Sequence, residues 1–180
     1  LRFATACGAS SRLRLDLVVN DFVATSYKES KVTLMSRGNA YRPFISVNDM
    51  CKAFHWSVVR NTGKGGNFCK INVGHKDLTT KVIDLAEKIS IFSGSKIKIS
   101  KSAKFDKRSY RVNYKKYYTL ADAKFLPSEN FKKINKELLK TLEGINYSAK
   151  HVIKEDFMRL VSLTKLIRDG KLNKNLSWRT

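Results

Sequence analysis

The stretch Ser36–Phe54, "SRGNAYRPFISVNDMCKAF", decides how the rest of the chain is read. Arg37-Gly38-Asn39 has turn chemistry, and "RPFISV" reads as extended because Pro43 drives Arg42 out of helical geometry. Ser46 and Asp49 have the spacing of a capping box, which predicts a helix starting at Val47. Its expected apolar stripe is Val47, Met50, Cys51, Phe54 and Val58. An obligate cation, Arg42, therefore stands where a strand leaves a turn and runs toward a helix start. A buried strand disfavours it, and a solvated turn could use any lysine.

Outward from this stretch the pattern alternates. "RFATAC" (Arg2–Cys7) reads as a buried central strand and "GASSRLR" as a loop. A helix is expected from Leu15 to Ser26, with Leu15, Val18, Val19, Phe22 and Val23 inward and Asp16 and Asn20 opposite. "KVTLM" is a short strand, "NTGKGGN" a loop, and Phe68–Val73 a second central strand. A helix is expected from Thr80 to Phe92, and "KIKIS" is a further strand. Helices are also expected from Tyr117 to Phe125 and from Lys150 to Arg168, the latter with Ile153, Phe157, Leu160, Val161 and Ile167 inward. This order is α/β. Two long strands are too few for a stable doubly wound sheet, so the pattern looks like part of one.

Composition sets the bounds. The 180 residues suffice for one domain with a core. Lys+Arg 36 against Asp+Glu 15 gives a net charge of +21, which suits nucleic acid, anionic membrane or phosphorylated ligands. A general enrichment in Lys, Asn and Ile accounts for that charge equally well. Cys7, Cys51 and Cys69 form no C-x-x-C pair and stand in apolar company, as expected of reduced, packed thiols in a cytoplasmic protein. His55, His75 and His151 are isolated, so no metal site is expected. No apolar run approaches the ~18 residues of a membrane span, and no signal-peptide pattern is present. The chain begins at Leu1 inside a strand-like run, which suggests part of something longer.

Three motifs are decoys. "TGKGGN" (Thr62–Asn67) lacks the upstream glycine of a phosphate loop and has Gly65 where Ser or Thr would hold magnesium. Tyr27 and Lys31 match Y-x-x-x-K, the tyrosine and lysine pair of short-chain dehydrogenases, but Lys31 starts a strand and the two cannot share a helix face. Lys96–Lys116 interleaves Phe105, Tyr110 and Tyr114 with lysine as a single-strand stacking platform would. No nucleic-acid-binding signature accompanies it, and inward aromatics with solvated lysines explain it better.

Taken in order, "RFATACG", "RLRLDLVVNDFVATSY", "KVTLMSRGNAYRPFISVNDMCKAF", "FCKINVG" and "FDKRSYRVN" resemble the second half of the extended short-chain dehydrogenases, the NAD-dependent sugar-nucleotide epimerases and dehydratases. The resemblance covers Leu1 to about Phe125. Its most specific element is G-x-x-x-R-P-F-I-x-V-x-D-M, Gly38–Met50. It implies the C-terminal part of a Rossmann-type NAD(P)-binding fold: residues 1–125 as a substrate-binding half including two strands of the sheet, and 126–180 as a C-terminal helical extension of the same domain. It also implies that Arg42 and Arg108 hold the diphosphate of a nucleoside-diphosphate sugar, with Arg14 a looser match and Thr5 in the vicinity of substrate or cofactor. Planar, permanently charged, bidentate donors suit that role better than lysine.

Ser46, Thr5 and Arg37-Gly38-Asn39 depart from the residues usual in that family at these positions. By the same resemblance, the glycine-rich loop for NAD or NADP and the catalytic Ser/Thr, Tyr and Lys belong to a half that would precede Leu1. The chain is then expected to carry no catalytic residue and to be inactive alone, its partner half possibly encoded separately. The rival readings are a basic nucleic-acid-binding protein and an inactive remnant of a split gene.

Overall fold

The computed structural model describes residues 1–179, with the backbone alone at Lys104. Seven strands and six α-helices follow one another as β1 (Arg2–Phe3), β2 (Thr5–Cys7), α1 (Val18–Glu29), β3 (Lys31–Ser36), β4 (Tyr41–Ser46), α2 (Val47–Val59), β5 (Asn72–Val73), β6 (Thr79–Lys81), α3 (Val82–Ser93), β7 (Lys96–Lys104), α4 (Lys115–Leu120), α5 (Phe131–Gly144) and α6 (Arg159–Arg168). Among the described residues no helix is long and apolar enough to cross a membrane.

The expected first strand is real but serves two sheets. It divides at Ala4: β1 pairs in parallel with β5, while β2 pairs in parallel with β4. Strand β4 is likewise shared, with Tyr41–Pro43 antiparallel to β6 and Phe44–Ser46 against β2. Pro43 has no amide hydrogen to donate and sits at the changeover, where a missing ladder bond costs least. A third, parallel pair joins β3 to β7.

Side chains alternate across a strand, and β4 uses this to separate two cores. Phe44 joins a core built by α1, α3, α5, Val32 and Leu34, while its neighbour Ile45 joins a second with Trp56, Val73, Tyr117 and Phe125. All six of these named side chains from β4 and the second core are at most 4% exposed.

Several sequence expectations need correction. Asn20 lies on the buried side of α1, not the polar side: its amide accepts from Gly8 N at 2.9 Å and donates to the carbonyls of Gly8 and Arg14, closing the loop after β2. Phe68–Val73 contributes only Asn72–Val73 as strand, and Phe68 is exposed. The segment from Tyr117 to Phe125 breaks into α4 and a 3-10 turn, Ala123–Phe125. The long helix expected from Lys150 is a 3-10 turn (Lys154–Phe157) followed by α6. Of its supposed inward residues, Ile153, Leu160 and Val161 are exposed, and only Phe157 packs on the first core. Helix α5 lies within the expected helical extension although no helix was placed at these residues, and its Ile134, Leu138 and Leu142 are fully buried in the first core.

The stripe on α2 also differs. The helix buries Asp49, Ala53 and Trp56, and turns Cys51, Phe54 and Val58 outward. Cys51 is therefore not packed; only Cys7 is deeply buried, which pushes its thiol up to about 12. With Val59 exposed as well, and the Phe54 ring tilted against Phe3 at 5.0 Å, the outer side of α2 carries uncovered apolar side chains.

Half of the expected capping box forms: Ser46 Oγ accepts from Asp49 N at 3.0 Å, while the Asp49 side chain turns elsewhere instead of back to the Ser46 amide. The Asp49 carboxylate, fully buried, accepts from the amides of Ser128 (3.1 Å) and Glu129 (3.0 Å) and from Lys52 Nζ (2.8 Å). Burial works against its charge, but Lys52 and the two amides outweigh it and hold the carboxyl below its ordinary range. A carboxylate with a depressed folded pKa stabilises the fold above its unfolded pKa, about 4, and loses that contribution as pH falls through the folded value. Asp49→Ala should cost about 2–4 kcal/mol by orphaning two amides and Lys52. Denaturant melts from pH 7 to pH 2 should show that loss at neutral pH and a shallower acid limb in the variant.

Candidate functional site

A cleft of about 670 Å³ opens where β2, β3 and β4 meet the N-terminal turn of α1 and the segment after β7. Its floor belongs to the first core, through Phe22 and Leu34. Its rim carries charge: Arg42, Asp106, Arg108, Asp16 and Asp21.

Arg42 and Phe44 are two residues apart on β4, so both face the first core rather than the second. That alternation points Arg42 into the cleft. Its side chain is only 13% exposed. Nη1 donates to the Tyr41 carbonyl at 3.0 Å, the Tyr110 ring centroid lies 5.5 Å from the guanidinium carbon, and Nη2 donates to Asp106 Oδ2 at 2.5 Å. Arg108 is 82% exposed and forks onto the same carboxylate, with Nε 3.1 Å from Oδ1 and Nη2 3.2 Å from Oδ2. Hydrogen bonds from Arg108, then the Arg42 charge, hold the Asp106 carboxyl below its ordinary range. Two guanidinium groups thus converge on one anion at the mouth of the cleft.

Of the four residues expected at the site, Thr5, Arg42 and Arg108 line this cleft together. Thr5 stands opposite Phe44 in the β2–β4 ladder. Arg14 does not line it: its guanidinium is held in a bidentate contact by Asp16 (3.0 and 2.6 Å), which does, and it borders a separate hollow of about 420 Å³ near α6. The same contact lowers the Asp16 carboxyl, whereas burial raises that of Asp21 despite its pairing with Lys154. Sequence reasoning missed Asp106 and Tyr110 as site residues. Both lie in the D-x-R-S-Y motif, where two residues flanking the arginine were a usable signal.

The decoys resolve locally. The "TGKGGN" loop is filled by Arg60, which donates to the carbonyls of Lys64 (3.0 Å) and Gly66 (2.9 Å), leaving no phosphate cradle. Lys31 begins β3 and pairs with Glu29, away from any shared face with Tyr27. In the basic segment only Tyr114 turns inward, buried against Gly74; Phe105 and Tyr110 are exposed and line the cleft, Tyr110 beside Arg42, so the expectation of inward aromatics is corrected for these two.

No family model matches the chain. Its fold does match solved structures. The UDP-glucuronic acid 4-epimerase of Bacillus cereus, crystallised with UDP-glucuronic acid and NAD, aligns at a TM-score of 0.64 and 17% identity, over 80% of this chain and 44% of that one. The dTDP-glucose 4,6-dehydratase of Bacillus anthracis, in complex with NAD, aligns at 0.63 and 16% over 89% and 46%. RMD of Pseudomonas aeruginosa, complexed with NADPH, aligns at 0.65 and 14% over 80% and 47%. The chain spans less than half the length of each of these structures.

The turn ahead of Arg42 tests how tightly its placement is set. Gly38 has φ +74°, and a Cβ there would fall 2.8 Å from Ile83 Cβ and from Leu34 Cδ2. Gly38→Ala should destabilise the chain by about 2–4 kcal/mol, combining left-handed strain with overpacking, whereas Asn39→Ala, at an exposed position, should cost under about 0.5 kcal/mol. Thermal melts of the two variants check this. The chain thus has the fold of part of these Rossmann-type structures, matched over 44–47% of their length.

Proposed function

We propose that the chain is the substrate-binding portion of an NAD(P)-dependent nucleotide-sugar epimerase or dehydratase, with a nucleoside-diphosphate sugar lying in the cleft and its diphosphate against Arg42 and Arg108. The observation that carries this reading is the convergence of two arginines on a single anion at the mouth of a 670 Å³ cleft. Bidentate guanidinium contact recognises phosphate oxygens by geometry as well as charge. Arg14 contributes only through Asp16, and Thr5, at the start of β2, lines the cleft where a sugar or cofactor would approach.

The cofactor and the reacting groups belong to a sheet-bearing portion beyond these 180 residues, continuous with the chain or supplied separately. NAD or NADP bound there would accept a hydride from the sugar. The residues of this chain fix the substrate at a distance from the reacting carbon, so that binding energy is used for positioning. The β1–β5 pair, two residues long on each side, and the exposed Phe54, Val58 and Val59 of α2 support this arrangement, since two short parallel strands make an incomplete layer.

Two measurements test the reading. In calorimetric titrations with UDP or dTDP, Arg42→Lys should weaken binding by about 1–3 kcal/mol, as one point charge replaces a fork. Arg108→Lys should weaken it as well, while Arg37→Lys, on the exposed turn, should leave it unchanged. Equal affinities in all three variants would remove the site assignment. For the uncovered face, Phe54→Ser with Val58→Ser should reduce binding of a hydrophobic dye yet shift stability by no more than about 0.5 kcal/mol per site, the behaviour of exposed positions. A loss of several kcal/mol would mean that the face is already packed in this chain.

A further inference from the structure

The two arginines of the cleft are not free. Asp106 Oδ2 accepts from Arg42 Nη2 (2.5 Å) and Arg108 Nη2 (3.2 Å), and its Oδ1 accepts from the Arg108 amide (3.0 Å) and Nε (3.1 Å). One carboxylate of the chain thus takes the position that a ligand anion would need. Arg42 does not depend on it for orientation, because the Tyr41 carbonyl and the Tyr110 ring already hold the guanidinium. Arg108 differs: Asp106 is the partner to which its guanidinium donates, and the rest of the side chain stands in solvent.

We propose that Asp106 is a resident competitor for the anion site and thereby a specificity-determining residue that selects diphosphates over monophosphates, an inference that rests on the cleft binding a nucleotide. A phosphoryl group entering beside Asp106 meets a like charge, and it gains the arginines only by taking their donors from the carboxylate. A monophosphate recovers little more than Asp106 gives up. A diphosphate presents two phosphoryl groups and can engage the buried Arg42 through one and the exposed Arg108 through the other. The exchange breaks no covalent bond. It swaps an internal charge-assisted contact for two external ones.

The test is calorimetric titration of the full 180-residue chain, native and Asp106→Asn, with UDP, UMP, inorganic pyrophosphate and inorganic phosphate. Circular dichroism melts would confirm that each protein is folded. Asp106→Ser provides a second variant, which carries the test if the asparagine form does not fold. Removing the carboxylate should tighten the monophosphates by about tenfold or more and narrow the gap between UDP and UMP, with pyrophosphate and phosphate following the same trend. Unchanged or weakened binding, with the UDP to UMP ratio preserved, would overturn the proposal and make Asp106 an orienting residue for the arginines. Binding of none of the four ligands by any of the proteins would overturn the nucleotide reading of the cleft itself, and the proposal with it.

Discussion

The structure depends on the alternation of side chains along β4. Phe44 and Ile45 are adjacent and both fully buried, yet they belong to different cores. A one-residue slip in register would exchange every side chain between the two sides. Arg42 would then leave the cleft, and Ser46 would no longer stand at the end of the strand to cap α2. The pairing of Tyr41–Pro43 with β6 and of Phe44–Ser46 with β2 makes such a slip costly, because two ladders of opposite sense would have to move together. Asp49 adds a third lock. By accepting the amides of Ser128 and Glu129 it ties the start of α2 to the segment leading into α5, which closes the first core.

Much of this was legible in the sequence because it is local. The turn at Gly38, the extended run imposed by Pro43 and the Ser46 cap on α2 each rest on neighbouring residues, and each stands where expected. What failed was non-local. Nothing in "RFATAC" shows that it changes partners at Ala4, since both halves are equally extended and apolar. Asn20 reads as a solvated residue until Gly8 and Arg14 are brought to it across the loop. The α6 region has helical periodicity, but its short helix buries no residue, and periodicity alone does not say whether a partner surface exists.

The α2 stripe is the most informative mismatch. Cys51, Phe54 and Val58 do fall on one face, so the pattern was read from a true periodicity, but in this chain that face looks outward. Trp56 and Ala53 supply the packed side instead. A helix that is apolar on two sides is built to lie between two layers.

At the cleft, Arg42 and Arg108 were singled out by their motif, whereas the groups that hold them were not. Spacing alone could not show that Arg108, on an irregular segment after β7, returns to within reach of Arg42. Nor could it show that Asp106 would sit between them. That carboxylate changes what the arginines mean chemically. Without it the cleft mouth would carry two uncompensated cations, which would attract any phosphate in a chain of net charge +21. With it the pair is half neutralised, and Tyr110 covers one face of the buried guanidinium. Long-range charge then draws anions toward the protein in general, while this short-range competition decides which of them can stay.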